Sequence, residues 1–432
     1  RSHELHPSSP GERFPAPARA SMKISLLRAI DRIAGIWICK ALSLHAKIFP
    51  RKDRPGPPEQ ILVILLSEMG SLVLAYPMFR RIREKYPDAR VSVLLFEKNR
   101  EMLEILGVVA HGNILTVRDQ TLRHFVSDSL QVLLKMRGQA IDVVVDCELF
   151  ARVSSIFSYL SGAGIRCGFT PHTQEGLYRG SFINRPVLYN PYQHISRQFV
   201  NLIEALDSNS VPSIKRVTAS DPLEIPDFRS QPDEIELAVA RLYRDYPLCR
   251  ESKLVLIYPS GGILPIRAWP AEYYCRLLSA LLEEGYVVGV IGLESDQAIA
   301  DAIIRACSSP AAINLCGYTR SIRELMLLFY HAVLLITNDG GPGQFAAMTP
   351  IPTIILFGPE TPALYGSHSP NAHFFYSGLS CSPCLTAYNH RNSPCDGDNQ
   401  CLKRISPEQV LAKAREMIAD ASRFLTHTTY QT

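Results

Sequence analysis

The sequence predicts an α/β protein of two facing Rossmann-like domains, each built on a parallel sheet, and three observations carry that prediction. The chain has 432 residues, too many for one compact core and suited to two domains of ordinary size. Two separate series of short apolar runs alternate with helical patterns. Between them, 207–235 is rich in Pro and Ser and weakly periodic, the composition of a boundary.

In the first series, 61–66, 91–96 and 141–146 are apolar at consecutive positions, as strands covered on both faces must be. A helical pattern over 72–85 lies between the first two, which is the signature of a βαβ unit. The second series places strands at 254–258, 286–291, 333–337 and 353–357. A last helix is expected over about 406–424, opened by Ser406-Pro407-Glu408 with Pro at the first helical position. At the other end, 23–49 reads as a helix with Ile24, Leu27, Ile30, Ile33, Ala34, Trp37, Ile38, Ala41, Leu44 and Ile48 on one face. Its cations Lys23, Arg28, Arg32, Lys40 and Lys47 and its single Trp suit the interface of an anionic membrane. Packing on its own domain is the alternative. Residues 51–58 end it as a stiff basic linker, and 1–21 are expected to be a tail outside the fold, with Met22 the natural start. The expected divisions are therefore 22–54 helix and linker, 55–206 first (acceptor) domain, 207–250 linker, 251–405 second (donor-binding) domain, and 406–432 helix and tail.

Apolar residues make up 47% and charged residues 20%, the range of a soluble globular protein. The formal charge of +4 is concentrated: 22–54 holds eight Lys or Arg against two Asp, and 55–432 holds 34 basic against 37 acidic side chains. No basic face is interleaved with aromatics, which excludes a nucleic-acid partner. No stretch approaches the roughly 18 apolar residues of a membrane span, and no secretory signal is legible. Cys39, Cys147, Cys167, Cys249, Cys275, Cys307 and Cys316 are scattered in apolar or helical surroundings and read as reduced thiols, which points to the cytoplasm.

Ligands of open α/β sheets bind beyond the carboxyl ends of the strands, so the strand-to-helix turns matter most. The turn Ser67-Glu68-Met69-Gly70-Ser71 has one ionisable side chain, Glu68. Read alone it is a first-turn carboxylate with Ser71 as a cap. Tyr258-Pro259-Ser260-Gly261-Gly262 leaves backbone N–H groups open to a phosphate, and Arg267 nearby can neutralise a diphosphate; an ordinary glycine loop with a surface Arg is the plain alternative. Asn338-Asp339-Gly340-Gly341-Pro342-Gly343-Gln344 carries three glycines within four residues, a costly composition for a mere connector, so a ligand approaching the backbone is the better reading. Phe357-Gly358-Pro359-Glu360-Thr361 is expected beside it. Cys381-Ser382-Pro383-Cys384, with Cys395 and Cys401, has the composition of a structural Zn or Fe site of four thiolates; two disulfides or four free thiols are the alternatives.

Taken together, Pro259-Ser260-Gly261, Arg267-Ala268-Trp269-Pro270, Asn314-Leu315-Cys316-Gly317, Asn338-Asp339-Gly340-Gly341-Pro342 and Leu356-Phe357-Gly358-Pro359 resemble glycosyltransferase family 9, the lipopolysaccharide heptosyltransferases, in order and spacing over about 60–405. Val144-Val145-Asp146 extends the match into the first domain. The resemblance implies a GT-B fold and inverting, metal-independent transfer from a nucleotide-sugar such as ADP-heptose to a glycolipid or glycan acceptor, with no catalytic cofactor. Carried over by position, Ser260, Gly261, Gly262 and Arg267 meet the donor phosphates, Arg267 replacing a Lys. Glu294 stands near the donor ribose, and Asp339, Gly340 and Gly341 face the donor sugar and phosphates. The family's presumed base, an Asp after the first-turn Gly, is Ser71 here, and a Ser cannot accept a proton unaided at neutral pH. Glu68 is the replacement, with Asp146, Glu148 and Glu175 following. Gly262-Ile263 and Gln344 also depart from the family, replacing hydroxyl residues and a His. Gly168-Phe169, His172, Glu175, Tyr178, Arg179, Asn190 and His194 suit an acceptor bearing hydroxyls and anions, or a plain surface loop. The resulting expectation is a glycosyltransferase at the inner face of the plasma membrane. A nucleotide-sugar isomerase and a catalytically silent sugar-nucleotide-binding relative are the alternatives.

Overall fold

A computed structural model describes residues 22–51, 56–66, 68–149, 151–170, 177–208, 223–388, 391–393 and 395–428. Within them are two six-stranded parallel sheets. The first contains β1 (Gln60–Ile64), β2 (Arg90–Phe96), β3 (Ile114–Val117), β4 (Val143–Asp146), β5 (Ile165–Phe169) and β6 (Arg185–Val187), in the order β3-β2-β1-β4-β5-β6. The second contains β7 (Leu254–Tyr258), β8 (Val287–Gly292), β9 (Ala312–Cys316), β10 (Leu334–Asn338), β11 (Thr353–Phe357) and β12 (Ala372–Tyr376), in the order β12-β11-β10-β7-β8-β9. Counted from its own first strand, the second sheet repeats the order of the first. The architecture is the two-domain α/β arrangement read from the sequence.

Consecutive apolar residues make these strands because each sheet is covered on both faces. Ile61 and Val63 of β1 enter one apolar cluster, while Leu62 and Ile64 enter another on the opposite face. Leu254 and Leu256 of β7 divide from Val255 and Ile257 in the same way. Burying such side chains contributes about 1.5–3 kcal/mol each. Five strands had no clear apolar run. In β5 the sequence Ile165-Arg166-Cys167-Gly168-Phe169 hides a strand because Arg166 is buried, its Nε donating to the Phe182 carbonyl at 2.8 Å.

The helix expected over 72–85 is two helices, Met69–Leu74 and Tyr76–Lys85. Pro77 has no N–H for the Val73 carbonyl, and its ring crowds the preceding turn. The last helix is longer than expected, Pro407–Thr428. Ser406 and Gln409 cap its start reciprocally: the Gln409 amide donates to Ser406 Oγ at 3.3 Å and the Ser406 amide to Gln409 Oε1 at 2.9 Å.

The N-terminal helix, Met22–Ile48, packs on the helix Arg152–Leu160 of the first half. Asp31 supplies the cap that the second helix lacks, accepting from the amides of Arg152 at 2.9 Å and Val153 at 3.0 Å. Ser43 Oγ meets Tyr178 Oη at 3.0 Å, and His45 Nδ1 meets Tyr159 Oη at 2.6 Å. The other face remains open: Ile33 and Trp37 are each 66% exposed, and Leu44, Ile48 and Phe49 are also exposed. No helix of the described residues is long and apolar enough to cross a membrane.

Candidate active site

In each sheet the strand order reverses between two neighbours, β1 and β4 in the first, β7 and β10 in the second. The crevice outside the carboxyl ends of such a pair is where open α/β sheets hold ligands. The two crevices face each other. A methyl group at Gly70, just beyond β1, would lie 3.2 Å from Gln344 Cγ and 3.7 Å from Gly341 Cα, just beyond β10. The helices Met69–Leu74 and Gly341–Ala346 pack together at this point.

Asn338 ties the loops of the second crevice. Its Nδ2 donates to the Ser260 carbonyl at 3.1 Å, and its Oδ1 accepts from the Trp269 amide and from Tyr274 Oη, both at 3.0 Å. Ser260 Oγ accepts from the Gly262 amide at 3.1 Å. Gly261 is required sterically, since an added Cβ would lie 2.6 Å from the Leu264 carbonyl oxygen and 2.9 Å from Pro265 Cα. The tight turn carries Arg267 inward, so it is a buried cation and not the surface side chain that the plain alternative supposed.

Five ionisable groups converge where the crevices meet. Arg267 Nη1 lies 3.7 Å from Asp339 Oδ2 and 3.5 Å from Glu360 Oε2. Arg391 pairs with Glu68 of the first half through Nη1, and its Nε lies 3.0 Å from Glu360 Oε1. Glu68 is 25% exposed, Arg391 10%, Arg267 and Asp339 7% each, and Glu360 2%. Burial, and then the adjacent Glu360 carboxylate, push the Asp339 carboxyl well above the usual range, against the pull of Arg267. Burial opposes the charge of Arg391, but the carboxylates of Glu360 and Glu68 more than offset it. Tyr365 lies under Arg391 at 5.4 Å, and Tyr189 meets Tyr388 edge to face at 5.9 Å alongside.

Of the residues singled out by sequence, Glu68, Ser260, Gly261, Gly262, Arg267, Asp339, Gly340 and Gly341 share this region. Ser71 is half-buried inside the helix Met69–Leu74, its amide bonded to the Glu68 carbonyl at 3.1 Å. Glu294 is exposed just beyond β8. Asp146 is a different matter. It is fully buried and held by Arg179 and, at 3.2 Å, by Ser154 Oγ, so its carboxylate is already committed and is not a free base. Glu148 likewise accepts from the Leu66 amide at 2.6 Å, joining the end of β4 to that of β1. Arg179, expected among acceptor-binding groups, is 1% exposed and donates to the carbonyls of Glu148 and Phe169. His194 is not on an open loop; it meets the Gly366 carbonyl of the other half at 2.9 Å. Ser67, His172 and Glu175 lie outside the described residues.

Among the described residues no group of three or more His, Cys, Asp or Glu is gathered to hold a metal ion. None of Cys381, Cys384, Cys395 and Cys401 is in a disulfide, so the alternative of two disulfides is not formed. Burial, with the neighbouring Cys384 thiol, pushes Cys401 up to about 11. The sequence reading missed two members of the site, Glu360 and Arg391. Glu360 lay in a turn already placed beside the Asp339 loop, a usable signal. Arg391 had none, being one cation in a loop read only for its cysteines.

Residues 130–393 match the family model of glycosyltransferase family 9 (heptosyltransferase). The chain is 22% identical over 368 residues to lipooligosaccharide heptosyltransferase 2 of Haemophilus ducreyi, covering 83% of this chain and 99% of that one. It is 23% identical over 367 residues to lipopolysaccharide heptosyltransferase 3 of Escherichia coli, covering 81% and 96%. Among solved structures, the E. coli ADP-heptose lps heptosyltransferase II superposes with a TM-score of 0.64 at 18% identity, covering 84% of this chain and 99% of that one. The glycosyltransferase family 9 protein of Veillonella parvula gives 0.65 at 18% identity, covering 85% and 100%. The fold is thus that of the heptosyltransferases, and the chain belongs to glycosyltransferase family 9.

Proposed function

We propose that this glycosyltransferase moves a heptose or related sugar from an ADP-linked donor to a lipopolysaccharide-like or other cell-surface glycan, with inversion and without a metal. The observation that carries the proposal is the buried pairing of Arg267 with Asp339 and Glu360 where the two crevices meet, with Glu68 presented from the opposite half. The matching family and the ADP-heptose named for a structural relative support the donor class. In the proposed step, Glu68 takes the proton of an acceptor hydroxyl as its oxygen bonds to the anomeric carbon. The bond from that carbon to the diphosphate breaks on the opposite face, which inverts the centre. The electron pair leaves on the diphosphate, whose growing charge meets Arg267 and the amides of the Ser260–Gly262 and Gly340–Gly341 turns.

The test is calorimetric binding of ADP-, GDP-, UDP-, CMP- and dTDP-linked sugars, followed by donor consumption with and without a crude membrane glycolipid. Consumption of one donor only with acceptor is expected. Turnover of donor alone would indicate an isomerase, binding without turnover a silent relative, and no binding at all would remove the donor-site reading.

A second element concerns where the acceptor is met. The open face of the helix Met22–Ile48 presents Ile33, Trp37 and Leu44 beside exposed Arg32, Lys40 and Lys47, with Lys40 Nζ 4.8 Å from the Trp37 ring. We propose that this face rests on the anionic inner surface of the plasma membrane, which places the protein in the cytoplasm beside a lipid-linked acceptor. Removing the helix would strip Asp31 from the helix it caps, so substitutions are the better test. Ile33→Glu with Trp37→Glu is expected to weaken sedimentation with phosphatidylglycerol-containing vesicles by about tenfold or more. Unchanged sedimentation would refute membrane contact by this face.

A further inference from the structure

The loop between Cys381 and Cys401 delivers a cation to the meeting point of the two crevices. Arg391 has a backbone φ of 54°, a left-handed conformation that a residue with a Cβ adopts at a cost. Its guanidinium spans both halves of the molecule, pairing with Glu68 beyond β1 and Glu360 beyond β11. Glu360 is shared: one oxygen lies 3.0 Å from Arg391 Nε, the other 3.5 Å from Arg267 Nη1. A single group that offers two oxygens to two guanidiniums is also the description of a phosphate. In addition, the buried atoms Arg267 Nε, Asp339 Oδ2 and Gln344 Oε1 have no hydrogen-bond partner among the described residues. Unpaired buried donors and acceptors are costly, and a ligand bearing several acceptor and donor groups would complete them.

We infer that Arg391 is a second cation for the donor diphosphate, and that its exchange from Glu68 to phosphate frees the Glu68 carboxylate for the acceptor hydroxyl. This rests on the donor-site reading above. Two guanidiniums face the Glu68 and Glu360 carboxylates in the cluster, with the Asp339 carboxyl beside them, so the protein supplies its own counter-ions when no donor is bound. An arriving diphosphate repels Glu68 and Glu360 and attracts both guanidiniums, so donor binding and the unmasking of Glu68 become one event. The donor then binds before the acceptor. Arg391 comes from outside the residues expected to hold phosphate, which makes the loop part of the site and not only a staple.

The experiment is calorimetry of the full chain with ADP, inorganic pyrophosphate and adenosine. Arg391→Met is expected to weaken ADP and pyrophosphate by about 10- to 100-fold and to leave adenosine unchanged. Arg391→Lys keeps the charge and loses the planar fork, so a smaller loss of about threefold to tenfold is expected. Glu68→Gln removes the competitor for Arg391 and should tighten ADP binding about threefold or more, a gain that a merely structural role does not produce. Should Arg391→Met fail to fold, the Lys and Gln variants carry the test. ADP affinity within about twofold of wild type in the Arg391 variants, or an equal loss for adenosine, overturns the inference while the donor site stands. A wild-type protein that binds neither ADP nor pyrophosphate overturns the donor site itself.

Discussion

Glu68→Gln is expected to reduce sugar transfer by about 100- to 10,000-fold, the range over which a general base acts, with the thermal midpoint little changed. Three observations set that size. Among the described residues, Glu68 is the one carboxylate of the first-half crevice that keeps exposed surface and faces the Arg267–Asp339–Glu360 cluster. Its rivals are committed, Asp146 to Arg179 and Glu148 to the Leu66 amide. Ser71 sits in a helical turn with nothing to make its hydroxyl basic. Gln keeps the shape but is a neutral, weaker partner for Arg391 and cannot take a proton, so donor binding is kept or tightened while turnover falls. Steady-state kinetics with the donor identified by the binding panel is the measurement. Transfer within a few-fold of wild type would remove Glu68 as the base and return the question to the residues outside the described set, Glu175 first.

Arg179→Met is expected to destabilise the protein by about 3–5 kcal/mol, the usual consequence of stripping one partner from a buried ion pair. Asp146 is fully buried, and Arg179 Nη1 also holds the Glu148 and Phe169 carbonyls at 2.5 and 2.8 Å, so three groups at the strand ends lose their ties together. Adding Asp146→Asn in the same chain should recover part of the loss, because no bare carboxylate then remains in the interior. Urea unfolding of the single and double variants measures this. If Arg179 instead met the acceptor, the single variant would unfold at the wild-type midpoint and show only a raised KM for acceptor.

How far the site could be read in advance follows from how local each signal is. Gly261 and the glycines Gly340, Gly341 and Gly343 are signals carried by their own turns, so a close backbone approach at both was visible in the residues around them. The strands β1, β2, β4, β7, β8, β10 and β11 were visible for a similar reason, being apolar on both faces over four or more residues. In contrast, β5 conceals Arg166 behind a carbonyl contact 16 residues away, and the edge strand β12 is half-buried along its length. The four cysteines are the reverse case. Their spacing suggests a tetrahedral site, and Cys384, Cys381 and Cys395 all lie close enough to act on the Cys401 thiol, but ligation also needs four sulfurs at matched distances from one point, which spacing in the chain does not fix.

The order of residues was sufficient for two parallel sheets, for the turns that follow β1, β7, β10 and β11, and for membership of a family whose motifs lie in those turns. These features depend on contacts within about 15 residues, where backbone conformation and apolar periodicity are set. The pairing of Glu68 with Arg391, separated by more than 300 positions, and the sharing of Glu360 between two guanidiniums were settled by how the two halves face each other. So was the retirement of Asp146 into the interior. A carboxylate's chemistry depends on whether water, a cation or another carboxylate lies within a few ångströms of it, and that neighbourhood exists only once the chain has folded.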